Sequence, residues 1–329
     1  MGAIALSPSP AFAADLTEQL RIPLNNGTRS ESRDQADRWL RLGQEQAATL
    51  LLSEAAQSWQ QALRLYIDLG DREAQNLIYG YLGTTYYSLG NYVAAEDSFR
   101  RRLSLSRDRQ GVDGQIHALN SLARILIQRG GTSDAETLLN EALALSTRTN
   151  SQEGIAATQA SFGLLAYTLG NYDRAITHYQ ASLNGTQRSF EREAAILNNL
   201  ATAFQAKGDS GNAQRYFESA VRVANTASDR TSQIRALDGL VAISQQTGNY
   251  PQALRLLSQR LALAQALDNP RQELASYQAI AQLYQTVGDQ NAARLFYHQA
   301  LAVAQEIQDI DQERLLVERL TSLKLRRSR

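Results

Sequence analysis

Gly90-Asn91-Tyr92-Val93-Ala94-Ala95-Glu96-Asp97-Ser98-Phe99 returns as Gly170-Asn171-Tyr172-Asp173-Arg174-Ala175-Ile176-Thr177-His178-Tyr179, and its first three residues return as Gly248-Asn249-Tyr250. Gly130-Gly131, Gly208-Asp209 and Gly288-Asp289 fill the intervals. The glycines thus stand at 90, 130, 170, 208, 248 and 288, in steps of 40, 40, 38, 40 and 40. Self-similarity at a fixed period of this length marks a chain built from stacked repeats. Five residues after each glycine stands an alanine (95, 135, 175, 213, 253, 293), with Ala55 one period earlier and Leu50 in the glycine's place. Nine residues after it stands a large apolar residue: Phe99, Leu139, Tyr179, Phe217, Leu257 or Tyr297, with Trp59 in the first unit. Seven residues before it the residue is small (Gly43, Gly83, Ala123, Gly163, Ala201, Ala281), except for Val241.

A helical hairpin accounts for each class. Glycine adopts the left-handed conformation that ends one helix, and the Asn or Asp after it caps the next. The small residues on either side of the turn are expected to face each other and let the helix axes approach. The large residue is expected to fill the space between one hairpin and the next. No such hairpin buries its apolar face alone, so stacking supplies the stability. Pro251 and Pro270 fall where a helix would begin, where a missing N–H costs nothing.

Composition supports an almost wholly helical reading. Of the 329 residues 43% are hydrophobic and only five are proline. Lys+Arg and Asp+Glu balance at 33 each, which leaves no basic field for a nucleic acid backbone. The absence of cysteine removes disulfides, thiolate metal sites and Cys nucleophiles. No apolar run reaches the length of a transmembrane helix.

The residues Trp39, Leu42-Gly43, Ala55, Trp59 and Ala62, then Leu82-Gly83, Tyr86, Ala95 and Phe99, resemble the tetratricopeptide repeat. The usual period is about 34 residues. The longer unit here is similar to the branch that includes spindle-orientation adaptors, kinesin light chains and bacterial peptide-sensing regulators. The resemblance implies an all-α, right-handed α-solenoid of seven helical hairpins plus a C-terminal capping helix. The expected units are 31–70, 71–110, 111–150, 151–190, 191–228, 229–268 and 269–308. Residues 309–329 then form the capping helix and a basic tail, with Ile310, Leu316, Leu320 and Leu323 near one face. Arg102 and Arg260 stand where a packing alanine is usual.

The N-terminus reads differently. Ala11-Phe12-Ala13 matches the small-x-small pattern of a signal-peptide cleavage site. Residues 1–14 are therefore expected to be a signal-peptide remnant, with a disordered leader as the alternative, and 15–30 an irregular lead-in. Export to a periplasm or a thylakoid-lumen-like space follows from the first reading, and a cytoplasmic setting from the second.

A catalytic centre is not expected. His117, His178 and His298 share no face, no metal-ligand spacing occurs, and the glycines are spent on turns rather than on phosphate loops. Each histidine reads as a polar helix residue, and no cofactor or metal is expected. Arg100-Arg101-Arg102 reads as a solvated helix face.

Function is then expected on the concave face, which the first helix of each hairpin lines in such solenoids. Offsets of minus six, minus three, minus two, plus one and plus four from the small residue select the candidates. They are Tyr81, Thr84 and Tyr87; His117, Asn120, Ser121, Arg124 and Ile127; Leu164 and Tyr167; Asn198, Asn199, Thr202 and Gln205; and Arg235, Asp238 and Gln245. Amides can pair with the backbone of an extended peptide, arginine can hold a carboxylate, and tyrosine supplies rigid contact area. The partner-binding set expected is Tyr81, Thr84, His117, Asn120, Arg124, Tyr167, Asn198, Asn199, Thr202, Arg235 and Asp238.

The lysine clamp of the chaperone-binding relatives is missing: its places hold Leu40, Gly80, Asn120, Ala160, Asn198, Asp238 and Gln278. The expected function is a non-enzymatic scaffold or adaptor for a protein or extended peptide with acidic or C-terminal carboxylate groups. In an exported setting it would be an assembly factor for an envelope or photosynthetic complex. The alternatives are a peptide- or ligand-sensing regulator and a self-assembling structural element. A monomer is expected, because the last helix covers the stack's end.

Overall fold

The computed structural model describes residues 31–49, 51–108, 111–185 and 189–325, and the side chains up to residue 323. The expectations for residues 1–30, for Leu50 and for the basic tail fall outside these. The described residues form fifteen helices and no strand. They are α1 (Glu31–Ala48), α2 (Leu52–Asp68), α3 (Arg72–Ser88), α4 (Tyr92–Asp108), α5 (Val112–Gln128), α6 (Thr132–Arg148), α7 (Gln152–Thr168) and α8 (Tyr172–Gly185). There follow α9 (Phe190–Lys207), α10 (Ser210–Ala227), α11 (Arg230–Gln246), α12 (Tyr250–Ala266), α13 (Pro270–Thr286), α14 (Gln290–Glu306) and α15 (Ile310–Leu325). The chain divides into two compact units, Met1–Lys207 and Gly208–Arg329.

The turns form as the repeat dictates. Gly90, Gly130, Gly170, Gly208, Gly248 and Gly288 all have positive φ, between 72° and 89°. At Gly90 the amide of Asn91 returns to the carbonyl of Tyr86 at 2.8 Å, closing the end of α3. Asn91, Asn171, Asp209, Asn249 and Asp289 each accept a backbone N–H three residues on, at 2.9–3.3 Å. Pro251 and Pro270 sit in the first turns of α12 and α13. A second set of left-handed residues lies between the hairpins, about 20 positions from the first: Gly70, Asn150, Ser228, Asp268 and Gln308. Only one of these five is glycine, so the periodic glycine pattern does not reveal them.

Within a hairpin the small residue before the turn lies against the large aromatic after it. A Cβ on Gly43 would meet Trp59 at 2.4 Å, one on Gly83 would meet Phe99 at 2.7 Å, and one on Gly163 would meet Tyr179 at 2.6 Å. The alanines 55, 95, 135, 175, 213, 253 and 293 are nonetheless fully buried. The large residue also reaches the following hairpin: Trp59 packs on a tilted Tyr81 with centroids 5.0 Å apart, and Phe217 lies against Gly239. One aromatic thus serves both packing interfaces.

The arginines that replace alanine are enclosed without breaking the stack. Arg260 is 8% exposed and is fully engaged across three helices. It donates to Asp238 on α11 at 2.6 Å and to the Gln272 carbonyl, the Gln272 side chain and Ser276 on α13 at 3.1, 2.9 and 2.5 Å. Arg102, also 8% exposed, lies over Gly80, the residue that stands in the hairpin-two register of Asp238. On α15, Leu316, Leu320 and Leu323 are buried against Leu274, Tyr297 and Val303, as expected. Ile310 is not on that face: it is 78% exposed, because six residues turn it about 120° away from Leu316.

A candidate peptide-binding face on the first helices

In the N-terminal unit, each helix packs on the next in sequence. Among the described residues, the contacts that skip a helix in this unit are a broad one between α5 and α7 and narrow ones of α3 with α5 and of α7 with α9. All three join first helices, so these helices lie side by side and present one continuous row of side chains.

The row does not hold every candidate. Tyr81 and Asn198 are fully buried, and Thr84 and Asn120 are 5% and 7% exposed. Thr84 returns its hydroxyl to the Gly80 carbonyl at 2.9 Å. Asn120 donates from Nδ2 to the Ile116 carbonyl and to Thr158 Oγ1 on α7, both at 3.0 Å. Its position is therefore used to join two hairpins. Gln278 does the same in the C-terminal unit, donating to Gln312 on α15 at 2.8 Å, and Asp238 does so through Arg260. The offset of minus three is a seam position, about 100° around the helix from minus two and about 40° from plus one.

His117, Ser121 and Arg124 on α5, Leu164 and Tyr167 on α7, and Asn199 and Thr202 on α9 are half-buried. These remain on the shared face. In the C-terminal unit Arg235 is half-buried and Asp238 lies at the surface. Desolvation pushes the Asp238 carboxyl above its ordinary value, and Arg260 offsets part of the rise. Ion pairs tie the first turns of the first helices together: Arg33 with Asp71 at 2.6 Å and Arg192 with Glu153 at 2.5 Å. Burial alone would push the Asp71 carboxyl up, but the Ala74 N–H and the Arg33 guanidinium more than reverse this and hold it down.

The sequence reading missed a feature beside this face. Leu169, Gly170, Asn171, Tyr172, Asp173, Ala206 and Lys207 line a shallow depression of ≈550 Å³. Lys207 Nζ reaches Asp173 at 2.6 Å across it, and the Tyr167 and Tyr172 rings meet at 5.6 Å. The signal was present in the repeated Gly-Asn-Tyr, read there as turn chemistry alone. His178, on the other side of α7, stacks on Phe162 and bonds Gln159 through Nδ1 at 2.7 Å. Among the described residues no group of three His, Cys, Asp or Glu side chains could hold a metal ion, and no helix is long and apolar enough to cross a membrane.

The tetratricopeptide repeat pattern matches residues 74–148, 114–188, 154–226 and 232–306. The chain belongs to the tetratricopeptide repeat family. No curated relative matches it. Several solved tetratricopeptide-like structures are similar in fold. The apo form of the quorum sensor NprR from B. thuringiensis is 12% identical with a TM-score of 0.61, over 80% of this chain and 75% of NprR. A Rap protein complexed with competence and sporulation factor is 14% identical with a TM-score of 0.56, over 97% and 99% of the two chains. A STAND protein with a tetratricopeptide repeat sensor from Pyrococcus horikoshii is 12% identical with a TM-score of 0.61, over 92% and 51%. At these identities the likeness is one of fold. Tetratricopeptide repeats generally serve as protein-interaction scaffolds.

Proposed function

We propose that the protein is a non-enzymatic interaction scaffold that binds an extended polypeptide across α5, α7 and α9. The observation that carries this is the direct side-by-side contact of first helices in the N-terminal unit. It turns His117, Ser121, Arg124, Leu164, Tyr167, Asn199 and Thr202 into one half-buried row. The row mixes hydroxyl and amide groups that can pair with a peptide backbone, one arginine for a carboxylate, and the apolar surface of Leu164 and Tyr167. Because stacking fixes the row in advance, little ordering cost opposes binding. The NprR and Rap structures support the same reading, since one is described as a quorum sensor and the other holds competence and sporulation factor.

A displayed peptide library selected on the purified protein tests this. The enriched peptides should carry an acidic or free C-terminal carboxylate. Arg124→Ala should weaken the best of them about tenfold, or about 1.4 kcal/mol. Paired Asn199→Ala and Thr202→Ala should cost less, and Arg101→Ala on a second helix should cost nothing. Loss of binding with Arg101→Ala and none with Arg124→Ala, at unchanged circular dichroism, would place the site elsewhere.

A further inference from the structure

Hairpin four departs from the repeat at Asn184-Gly185, the last two described residues of α8. Gly185 takes the place that Leu145, Leu263 and Val303 hold in hairpins three, six and seven, where the side chain is buried. Packing requires the glycine here. A Cβ on it would meet Ala156 Cβ on α7 at 2.8 Å, and Ser182 beside it donates to the Ala156 carbonyl at 2.7 Å. Asn184 lies in the outward column of Ala144, Ala262 and Ala302 and is exposed.

Among the described asparagines, Asn184 alone precedes a glycine. The turn asparagines Asn91, Asn171 and Asn249 each accept a backbone N–H, whereas the Asn184 side chain makes no hydrogen bond among the described residues. The helix also stops here. Ser189 already caps α9, its hydroxyl accepting the Arg192 amide at 3.3 Å, so α8 ends at Gly185 or within the three residues before Ser189. The last carbonyls of a helix have no intrahelical donor, and such a turn opens at little cost.

We propose that Asn184 is a self-modification site, converted in the folded chain to aspartate and isoaspartate, and that the change loosens α8 from α7. The Gly185 nitrogen bonds to Asn184 Cγ as the Cγ–Nδ2 bond breaks, and Nδ2 leaves as ammonia with the proton of the Gly185 amide. Glycine permits this approach because no Cβ stands beside its nitrogen. Water then opens the cyclic imide at either carbonyl, and nothing is oxidised or reduced. Opening at Cγ leaves aspartate. Opening at the main-chain carbonyl leaves isoaspartate, with the chain routed through Cγ and one methylene longer. Either product sets a carboxylate at the C-terminal end of α8, where the helix dipole opposes negative charge. Isoaspartate also disrupts the backbone beside the Gly185–Ala156 contact, which seats α8 on the helix carrying Leu164 and Tyr167.

Peptide mapping of the full, folded chain after incubation in heavy-oxygen water at mildly alkaline pH tests this. The peptide holding residue 184 should gain one heavy oxygen and separate into aspartate and isoaspartate forms, ahead of every other described asparagine. Asn225 is the comparison, since it is exposed in the last turn of α10 but precedes Thr226. Asn26-Gly27 lies outside the described residues and is scored separately. Asn184→Gln, at an exposed position, should keep the helical content and remove the reaction, and after equal incubation it should melt higher than the parent. Conversion of Asn184 no faster than of Asn225, conversion only once urea has unfolded the chain, or an aspartate form alone overturns the site. Equal melting of the converted parent and Asn184→Gln overturns the loosening of α8.

Discussion

Gly83 and Phe99 share one volume: a Cβ at position 83 would lie 2.7 Å from Phe99 Cζ, with two further ring atoms within 2.9 Å. Sixteen residues apart on the two helices of a hairpin, they set how closely α3 and α4 approach. The pair is repeated as Gly43 with Trp59 and as Gly163 with Tyr179, so the same exchange of a hydrogen for a ring face recurs in hairpins one, two and four.

Gly83→Ala should therefore fail to stabilise the protein, although alanine is the better helix former. The propensity gain is about 1 kcal/mol. The buried ring has no free space to enter, so overpacking should cost about 1–3 kcal/mol and cancel or exceed that gain. Gly83→Val should fall clearly on the losing side. Urea unfolding of the variants is the check, and a stabilised Gly83→Val would refute the packing.

The left-handed turns give a prediction of opposite sign. Gln308 and Asp268 hold φ of 55° and 49°, a conformation costing an ordinary residue roughly 1–2 kcal/mol. Gln308→Gly should raise the melting temperature, whereas Gly90→Ala, at φ 75°, should lower it. Nothing lies within 4 Å of a Cβ at Gly90, so the loss there would be one of backbone conformation alone.

Arg260→Met keeps the length of the side chain and removes the charge. It leaves Asp238 and the Ser276 oxygen without the guanidinium, whereas the Gln272 carbonyl keeps the Ser276 hydroxyl. Hydrogen bonds to a charged group are worth roughly 1.5–3 kcal/mol, so the loss should be in that range or above it. Asp238→Ala should cost less, because Arg260 keeps its bonds to α13. Thermal melts of the two variants decide the order, and a larger loss for Asp238→Ala would reverse the assignment.

His178 predicts a pH dependence. Its partial burial, with Arg174 nearby, lowers its folded pKa below the ordinary 6.5. Between the lowered value and 6.5 the unfolded chain binds the additional proton, so stability is full above about pH 6.5 and falls as the pH drops through that window. His178→Gln should flatten the melting temperature between pH 7.5 and pH 5.5. An unchanged slope would assign the dependence to other groups.

Some of this was legible in the residues and some was not. The period, the turns at Gly90 to Gly288, their Asn and Asp caps and the buried alanines could be read directly, because each is decided within a few residues by backbone conformation and local hydrogen bonding. The leucine face of α15 was legible for the same reason. What tertiary structure decided was the rotation of each first helix about its axis. Offsets of minus three and minus two differ by a single residue, or about 100°, and period alone cannot say which of them faces the seam. Packing against the neighbouring first helix placed Asn120 and Asn198 inside and left Ser121 and Asn199 on the shared face. Tyr81 was drawn inside because the Trp59 ring offers it a partner across the hairpins. Which aromatic meets which glycine, and which arginine finds a buried carboxylate, depends on contacts between segments 16 to 40 residues apart. Those contacts exist only once the hairpins have stacked.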